Sequence, residues 1–333
     1  MAGPFYVDPA AAGANNGSSW LNAWTSIQSA FDTAVAGEIV YCRGTQTIGA
    51  TLDVDTNSGG NATGYIKFIG CNAAGNQDGT RFKIDANGGA YNGLSGTAAA
   101  SMVWLENIEI YGTAAGAYYG FYQTGGGGWV LVNCCARNCG GNGFYTGGRY
   151  LRCVAYSNGT YGYRNGEFYF CSAHDNTGTG FYSSSAATTI GCLSYDNGDD
   201  GFGGELIGSR MLNCVAEGNT DDGISIAAGT LASSVLLIGL RITNHSGAGD
   251  IGLNCNSEPV LTLGCYFEDN DGANTQNDSL HYNISIDGTT ASSNVEDQAN
   301  INEGYTSLAD GSEDFNLRSD ASLRRTAITI PLT

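Results

Sequence analysis

CCARNCGGNGF from Cys134, CVAYSNGTYGY from Cys153, CSAHDNTGTGF from Cys171, CLSYDNGDDGF from Cys192 and CVAEGNTDDGI from Cys214 superimpose without a gap. Their starts lie 19, 18, 21 and 22 residues apart. Self-similarity at a period of ~20 residues marks a solenoid, because one such unit cannot bury its apolar face alone. Two residues before each Cys stands Val132, Leu151, Tyr169, Ile190 or Leu212, and two after it stands Ala136, Ala155, Ala173, Ser194 or Ala216. Alternation along one strand predicts that these positions and the Cys all point inward. Five residues after the Cys comes Asn158, Asn176, Asn197 or Asn219, with Cys139 in the first copy. Asn tolerates bend dihedrals and bonds turn backbone, so stacked copies predict an Asn ladder over buried amides. Nine residues after the Cys is Gly143, Gly162, Gly180, Gly201 or Gly223. Phe144, Tyr163, Phe181, Phe202 or Ile224 follows, a column expected to plug the core.

The pattern continues more loosely outward. WLENIEIYG from Trp104 and GFYQ from Gly120 fit upstream; VLLIGLRITNH from Val235 and the spacing of Leu263, Cys265 and Asn270 fit downstream. From Glu38 to Asp287 this gives ~12 coils of ~20 residues, a rod ~60 Å long at ~4.8 Å per coil. The open end of such a stack needs a cover. Trp20, Trp24, Ile27, Phe31 and Ala34 fall at helical spacing, with Thr25 as the expected N-cap and Gly37 as the stop. An amphipathic helix over residues 25–36 is therefore expected against the first coil. The chain divides into an N-terminal segment with a capping helix (1–36), a parallel β-helix (37–290) and a closing segment (291–333).

The opening FYVDPAAAGANNGSSWLNAWTSIQSAFDTAVAGEIVYCRGT from Phe5 resembles that of the pectate-lyase-like superfamily of right-handed, single-stranded parallel β-helices. The Cys-to-Gly-Phe repeats resemble its coils, and DFNLRSDASLRR from Asp314 resembles its short DF-x-L closing segment. The resemblance implies an all-β, right-handed parallel β-helix along nearly the whole chain. It leaves function open, because the fold hosts lyases, hydrolases, tailspikes and inert fibres.

Composition narrows the classes. With 51 Gly, 4 Pro and 42% apolar residues in 333, the chain is too apolar for disorder and lacks a collagen period. The net charge of −19 comes from 32 acidic and 13 basic residues, of which only Lys67 and Lys83 are lysines. Such a field repels nucleic acid, anionic membranes and, without bridging cations, polyanionic sugars. No run approaches the ~18 apolar residues of a membrane span. The first 36 residues hold no Lys or Arg and no signal-peptide core. Synthesis in a cytoplasm is expected, with retention there or release by lysis; resemblance to phage tailspike, fibre and decoration β-helices implies incorporation into a virion. The 11 cysteines show no paired CxxC spacing, and His174, His245 and His281 are scattered, so no zinc site is expected. The Cys column reads as free thiols packed as small hydrophobes. Disulfides are the other reading, disfavoured because stacked side chains point the same way.

Two features carry candidate chemistry. Asp199 and Asp200 follow Cys192 by seven and eight residues, and Asp221 and Asp222 hold the same slots after Cys214. Adjacent coils would bring these four carboxylates within ~5–8 Å, with Glu205 and Glu217 nearby. They read as solvated turn residues before Gly, as a Ca²⁺ site of hard oxygens, or as a glycosidase carboxyl pair. Outward columns of Arg137, Tyr156, His174, Tyr195 and Glu217, and of Tyr145, Arg164 and Tyr182, offer rings and cations suited to sugar faces and hydroxyls. The same ladders can also simply stabilise a sheet or dock a protein. A uronate lyase would need a Lys or Arg base beside Ca²⁺. The lysines lie towards the N-terminal end, nothing singles out Arg164 or Arg210, and no nucleophile motif is present.

With the resemblance, these features lead to one expectation and its rival. The first is a structural, non-enzymatic, carbohydrate-facing β-helix protein of a phage-type particle: tail spike, fibre or capsid decoration. Its partners would be a glycan or neighbouring virion proteins, and the resemblance alone implies a homotrimer. The rival is a polysaccharide lyase or glycoside hydrolase. A surface adhesin would need an export signal. No cofactor is expected apart from Ca²⁺ at the acidic turns.

Overall fold

The computed structural model describes residues 4–54, 64–96, 102–124, 128–206, 208–227, 235–243, 245, 251–254, 260–268, 275–276, 280–285, 305–307 and 314–317. The chain winds as a parallel β-helix with three faces. In one coil, Val130–Val132 lies on the first face, Cys135–Arg137 on the second and Phe144–Tyr145 on the third. Arg149–Leu151 then returns to the first face one rung on. The register is in parallel, Val130 on Arg149, Cys135 on Val154 and Phe144 on Tyr163. The first two faces form one 21-stranded sheet and the third a ten-stranded sheet. Among the described residues the one antiparallel pair joins Tyr305–Ser307 to Asp314–Leu317, so the DFNL motif is a strand outside the coil stack. Asn270 and most of 291–333 lie outside the described residues.

The residue before each repeat Cys bends the chain from the first face to the second. Asn133, Arg152, Phe170, Gly191 and Asn213 have φ of 51°, 55°, 56°, 63° and 51°. This left-handed corner resets the alternation of side chains and corrects the sequence reading. Leu131, Tyr150, Phe168, Thr189 and Met211, three before each Cys, are the buried ones. Val132, Leu151, Tyr169, Ile190 and Leu212 point outward and are partly exposed. Simple alternation holds only inside an unbroken strand.

The other columns form as the spacing predicts. Cys134, Cys153, Cys171, Cys192 and Cys214 are buried, and all ten described cysteines are free. The Cys153 thiol donates to Leu131 O on the neighbouring coil at 3.3 Å. Burial pushes the Cys153 and Cys192 thiols well above the ordinary range, so they stay protonated and inert. In the ladder, Asn158, Asn176 and Asn197 each donate from Nδ2 to Oδ1 of the next Asn at 2.9, 2.9 and 2.8 Å. The plugs Phe121, Phe144, Tyr163, Phe181 and Phe202 stack at centroid spacings of 4.8, 4.8, 4.7 and 5.0 Å. The Gly before each plug is required by close approach: a Cβ on Gly162 would lie 2.7 Å from Gly180 O and 2.9 Å from Asn176 Nδ2.

The N-terminal helix is shorter than its periodicity suggests, spanning Ile27–Thr33 with Ser26, not Thr25, as N-cap and Ala34, not Gly37, as C-cap. The Thr25 amide is already held by Asn15 Oδ1 at 2.8 Å, which leaves Ser26 Oγ to accept from Gln28 N. Its buried face of Ile27, Ala30 and Phe31 meets the stack, with Phe31 edge-on to Phe68 at 4.5 Å. Trp20 and Trp24 lie outside the helix, and Phe5–Val7 adds a parallel strand to Ile39–Arg43. Among the described residues no helix is long and apolar enough to cross a membrane.

Candidate functional site

Two columns run side by side where the turn after the second face meets the third. The first holds Asn142, Tyr161, Thr179, Asp200 and Asp222, successive rungs whose carbonyls accept from the Gly amide of the preceding coil. The second is Tyr122, Tyr145, Arg164, Tyr182, Gly203 and Ser225. Glycines and short hydroxyl residues of the turn leave an open groove of ≈ 560 Å³ beside them. Its lining includes Tyr119, Asn142, Thr160, Tyr161, Arg164 and Gly178.

The aromatic wall of this groove is ordered by stacking. The Arg164 guanidinium lies over Tyr145 at 4.7 Å and Tyr182 at 5.7 Å. Tyr161 stacks on Tyr182 at 4.6 Å and 5°, and Tyr119 packs on Tyr122 and Tyr145, both at 5.1 Å. Arg164 Nε is buried and has no hydrogen-bond partner among the described residues. Rings with apolar faces and polar edges, set around a fixed guanidinium, suit the faces and hydroxyls of sugars. Sequence spacing identified Tyr145, Arg164 and Tyr182 but missed Tyr119, Tyr122 and Tyr161. Tyr122 follows its plug, Phe121, by one residue, as Tyr145 follows Phe144, so the same rule applied to GFYQ would have found it.

The acidic turns continue the wall. One carboxylate oxygen from each of Asp199, Asp200 and Asp221 lies within 4.8 Å of the others. Thr179 Oγ1 donates to Asp199 Oδ2 at 3.0 Å. Burial, then Asp199, Asp222 and Asp221, raises the Asp200 carboxyl to about 8. Gly203 makes room for it, since a Cβ there would sit 2.7 Å from Asp200 Oδ2. Asp222 is buried and committed elsewhere, accepting from Ile251 N and Asn254 Nδ2, both at 2.9 Å. It belongs to the turn scaffold rather than to a four-carboxylate set. Glu205 is exposed, and the charges acting most strongly on Asp200 are its fellow aspartates. Asp199, Asp200 and Asp221 are thus the oxygens that could hold a hard cation such as Ca²⁺, and Asp200 beside Asp199 could serve as a proton donor. Arg164 is two rungs away, ~10 Å along the rod.

The other predicted column lies on the second face. Arg137 stands over Tyr111 at 4.2 Å and is paired with Glu109 at 2.9 Å. Tyr156 and His174 stack at 5.0 Å, and His174 and Tyr195 at 4.7 Å. His174 Nδ1 and Asp175 share a 2.7 Å contact, and Glu217 continues the register after Tyr195. These side chains satisfy one another as a cross-strand ladder and do not line the groove.

Among solved structures, pectate lyase Pel9A matches at a TM-score of 0.66 and 19% identity, over 96% of this chain and 90% of that one. A rhamnogalacturonan lyase matches at 0.56 and 15%, over 97% and 98%. ORF18 of Geobacillus virus E2 matches at 0.51 and 14%, over 78% of this chain and 56% of that one. At such identities the likeness concerns the fold. No protein-family model matches the chain, and no curated protein matches it.

Proposed function

We propose that this chain, a parallel β-helix of the pectate-lyase type, is a glycan-binding structural protein that reads polysaccharide along the groove beside Tyr161 and Arg164. The observation that carries this reading is the wall in which Arg164 lies between Tyr145 and Tyr182 and Tyr119 and Tyr161 flank the open groove. The net charge of −19 and the adjacent aspartates favour neutral glycans over polyuronates. A glycan panel tests this directly. At least one neutral polysaccharide should bind, and Tyr161→Ala and Arg164→Ala should each weaken binding about tenfold or more. A panel without binders, or binding indifferent to both changes, removes the proposal. The setting we propose is a phage-type particle, and imaging the protein in its native assembly should find it repeated on a capsid or tail.

Asp200 favours a second reading, polysaccharide cleavage. A carboxyl raised to about 8 beside other carboxylates can donate a proton at neutral pH. The expected result is binding without shortening of the glycan. Chain cleavage abolished by Asp200→Asn, with the fold intact, would replace the structural reading with the enzymatic one.

A further inference from the structure

The left-handed corners turn an apolar column out of the core and onto the first face. Val132, Leu151, Tyr169, Ile190, Leu212 and Ile238 follow one another in register on successive coils, all partly exposed. Beside this stripe, Phe170 is 58% exposed and occupies the corner at φ 56°. Equivalent corners hold Asn133, Arg152, Gly191 and Asn213. A bulky aromatic is costly in this backbone region, and Asn or Gly fills it without strain. Its ring lies over the next corner, where a Cβ on Gly191 would sit 2.6 Å from Phe170 Cδ1, and its outer side stays open.

We infer that this face packs against a second copy of the same chain, in antiparallel fashion about a two-fold axis at the Thr188–Ile190 rung, a two-copy contact in place of the trimer that the resemblance implies. Charge selects the occupant. The second outward position of these rungs holds Val130, Arg149, Glu167, Thr188, Arg210 and Leu236. Two Arg and one Glu give this column a charge of +1, and Arg152 at its corner brings the face to +2, on a chain of −19, so two copies can approach here with little local repulsion. The rung order also fits an isologous contact. A two-fold at Ile190 sets Ile190 on its own copy, Tyr169 on Leu212, Leu151 on Ile238 and Val132 on Leu263. In the neighbouring column it sets Glu167, which Arg149 of its own copy already holds at 2.9 Å on Oε2, opposite Arg210 twice. A parallel pairing would instead set the charged column against the apolar one. The stripe and its flanks measure ~30 Å by ~20 Å, or about 600 Å² per copy and about 1,200 Å² in all, within the range of specific interfaces.

Sedimentation of the full chain over a concentration series tests this. The parent should reach the mass of two copies, and Ile190→Asp and Leu212→Asp should return it to one with unchanged circular dichroism. Should either variant fail to fold, the charged pair supplies a surface test. Arg210→Glu should raise the dissociation constant at least tenfold, and adding Glu167→Arg should restore it. Ile190→Cys should cross-link two chains on oxidation, because the ten described cysteines are all buried. A parent that stays a single copy, folded Asp variants that keep the two-copy mass, or a charge swap without effect would each overturn the inference.

Discussion

At the scale of the residue, a half-buried carboxyl and a buried imidazole contribute to how stability responds to pH. Asp200 has a folded-state pKa of about 8 against an ordinary value of 3.8, so the folded chain holds a proton that the unfolded chain releases. Its contribution is fully present below pH ~4 and is lost as pH rises through ~8. Asp200→Asn should therefore melt higher than the parent, by an amount that grows between pH 5 and pH 8. An unchanged difference across that range would contradict the assignment. His245 works in the opposite direction. It takes the ladder slot after Asn219, is fully buried, and neither ring nitrogen has a partner among the described residues. Burial lowers its pKa, so as pH falls through ~6.5 the unfolded chain gains a proton that the folded one refuses. Stability should fall with it. His245→Asn should flatten that acid limb in denaturant titrations at pH 7 and pH 5, because an amide continues the ladder without titrating.

At the scale of the element, the turn after the second face is held by amides rather than by apolar contact. Asn197 Nδ2 reaches Asn219 Oδ1, Ala173 O and Ser194 Oγ, and its Oδ1 accepts from the backbone and side chain of Asn176. Asn197→Ala would strand several buried polar groups on three coils at once. The expected loss is about 3 kcal/mol by denaturant unfolding. A loss below about 1 kcal/mol would mean that water replaces the ladder. The Gly nine residues after each Cys serves the same turn, since only its missing Cβ lets neighbouring coils close over the amides.

At the scale of the whole molecule, the rod divides its surface by face. The third face and its turn carry the rings, Arg164 and the acids, the second a self-satisfied ladder, and the first the apolar stripe. Because each copy carries −19, long-range repulsion opposes association even where the contact itself is complementary. Raising salt from ~20 mM to ~300 mM shortens the Debye length and should strengthen self-association of the parent. Weakening over that range would mean that the Glu167–Arg210 contacts outweigh the overall charge.

The sequence by itself determined the coil, because Cys, Asn, Gly and plug positions are each dictated by local contact with the identical slot one coil away. Such contacts repeat with the chain, so spacing alone reveals them. It also determined half of the aromatic wall, Tyr145, Arg164 and Tyr182, and the acidic turns, which follow the same register. What only the tertiary structure decided depends on backbone dihedrals and on neighbours remote in sequence. The corner residues at positive φ reverse which apolar column is buried, and Arg152 and Phe170 give no warning of it in their residue type. The partnering of Asp222 by Asn254 removes it from the carboxylate set, and the room over Gly203 places Asp200 where burial and like charge act together. Residue type announces a repeating contact, whereas the direction of a side chain past a bend is set by the bend.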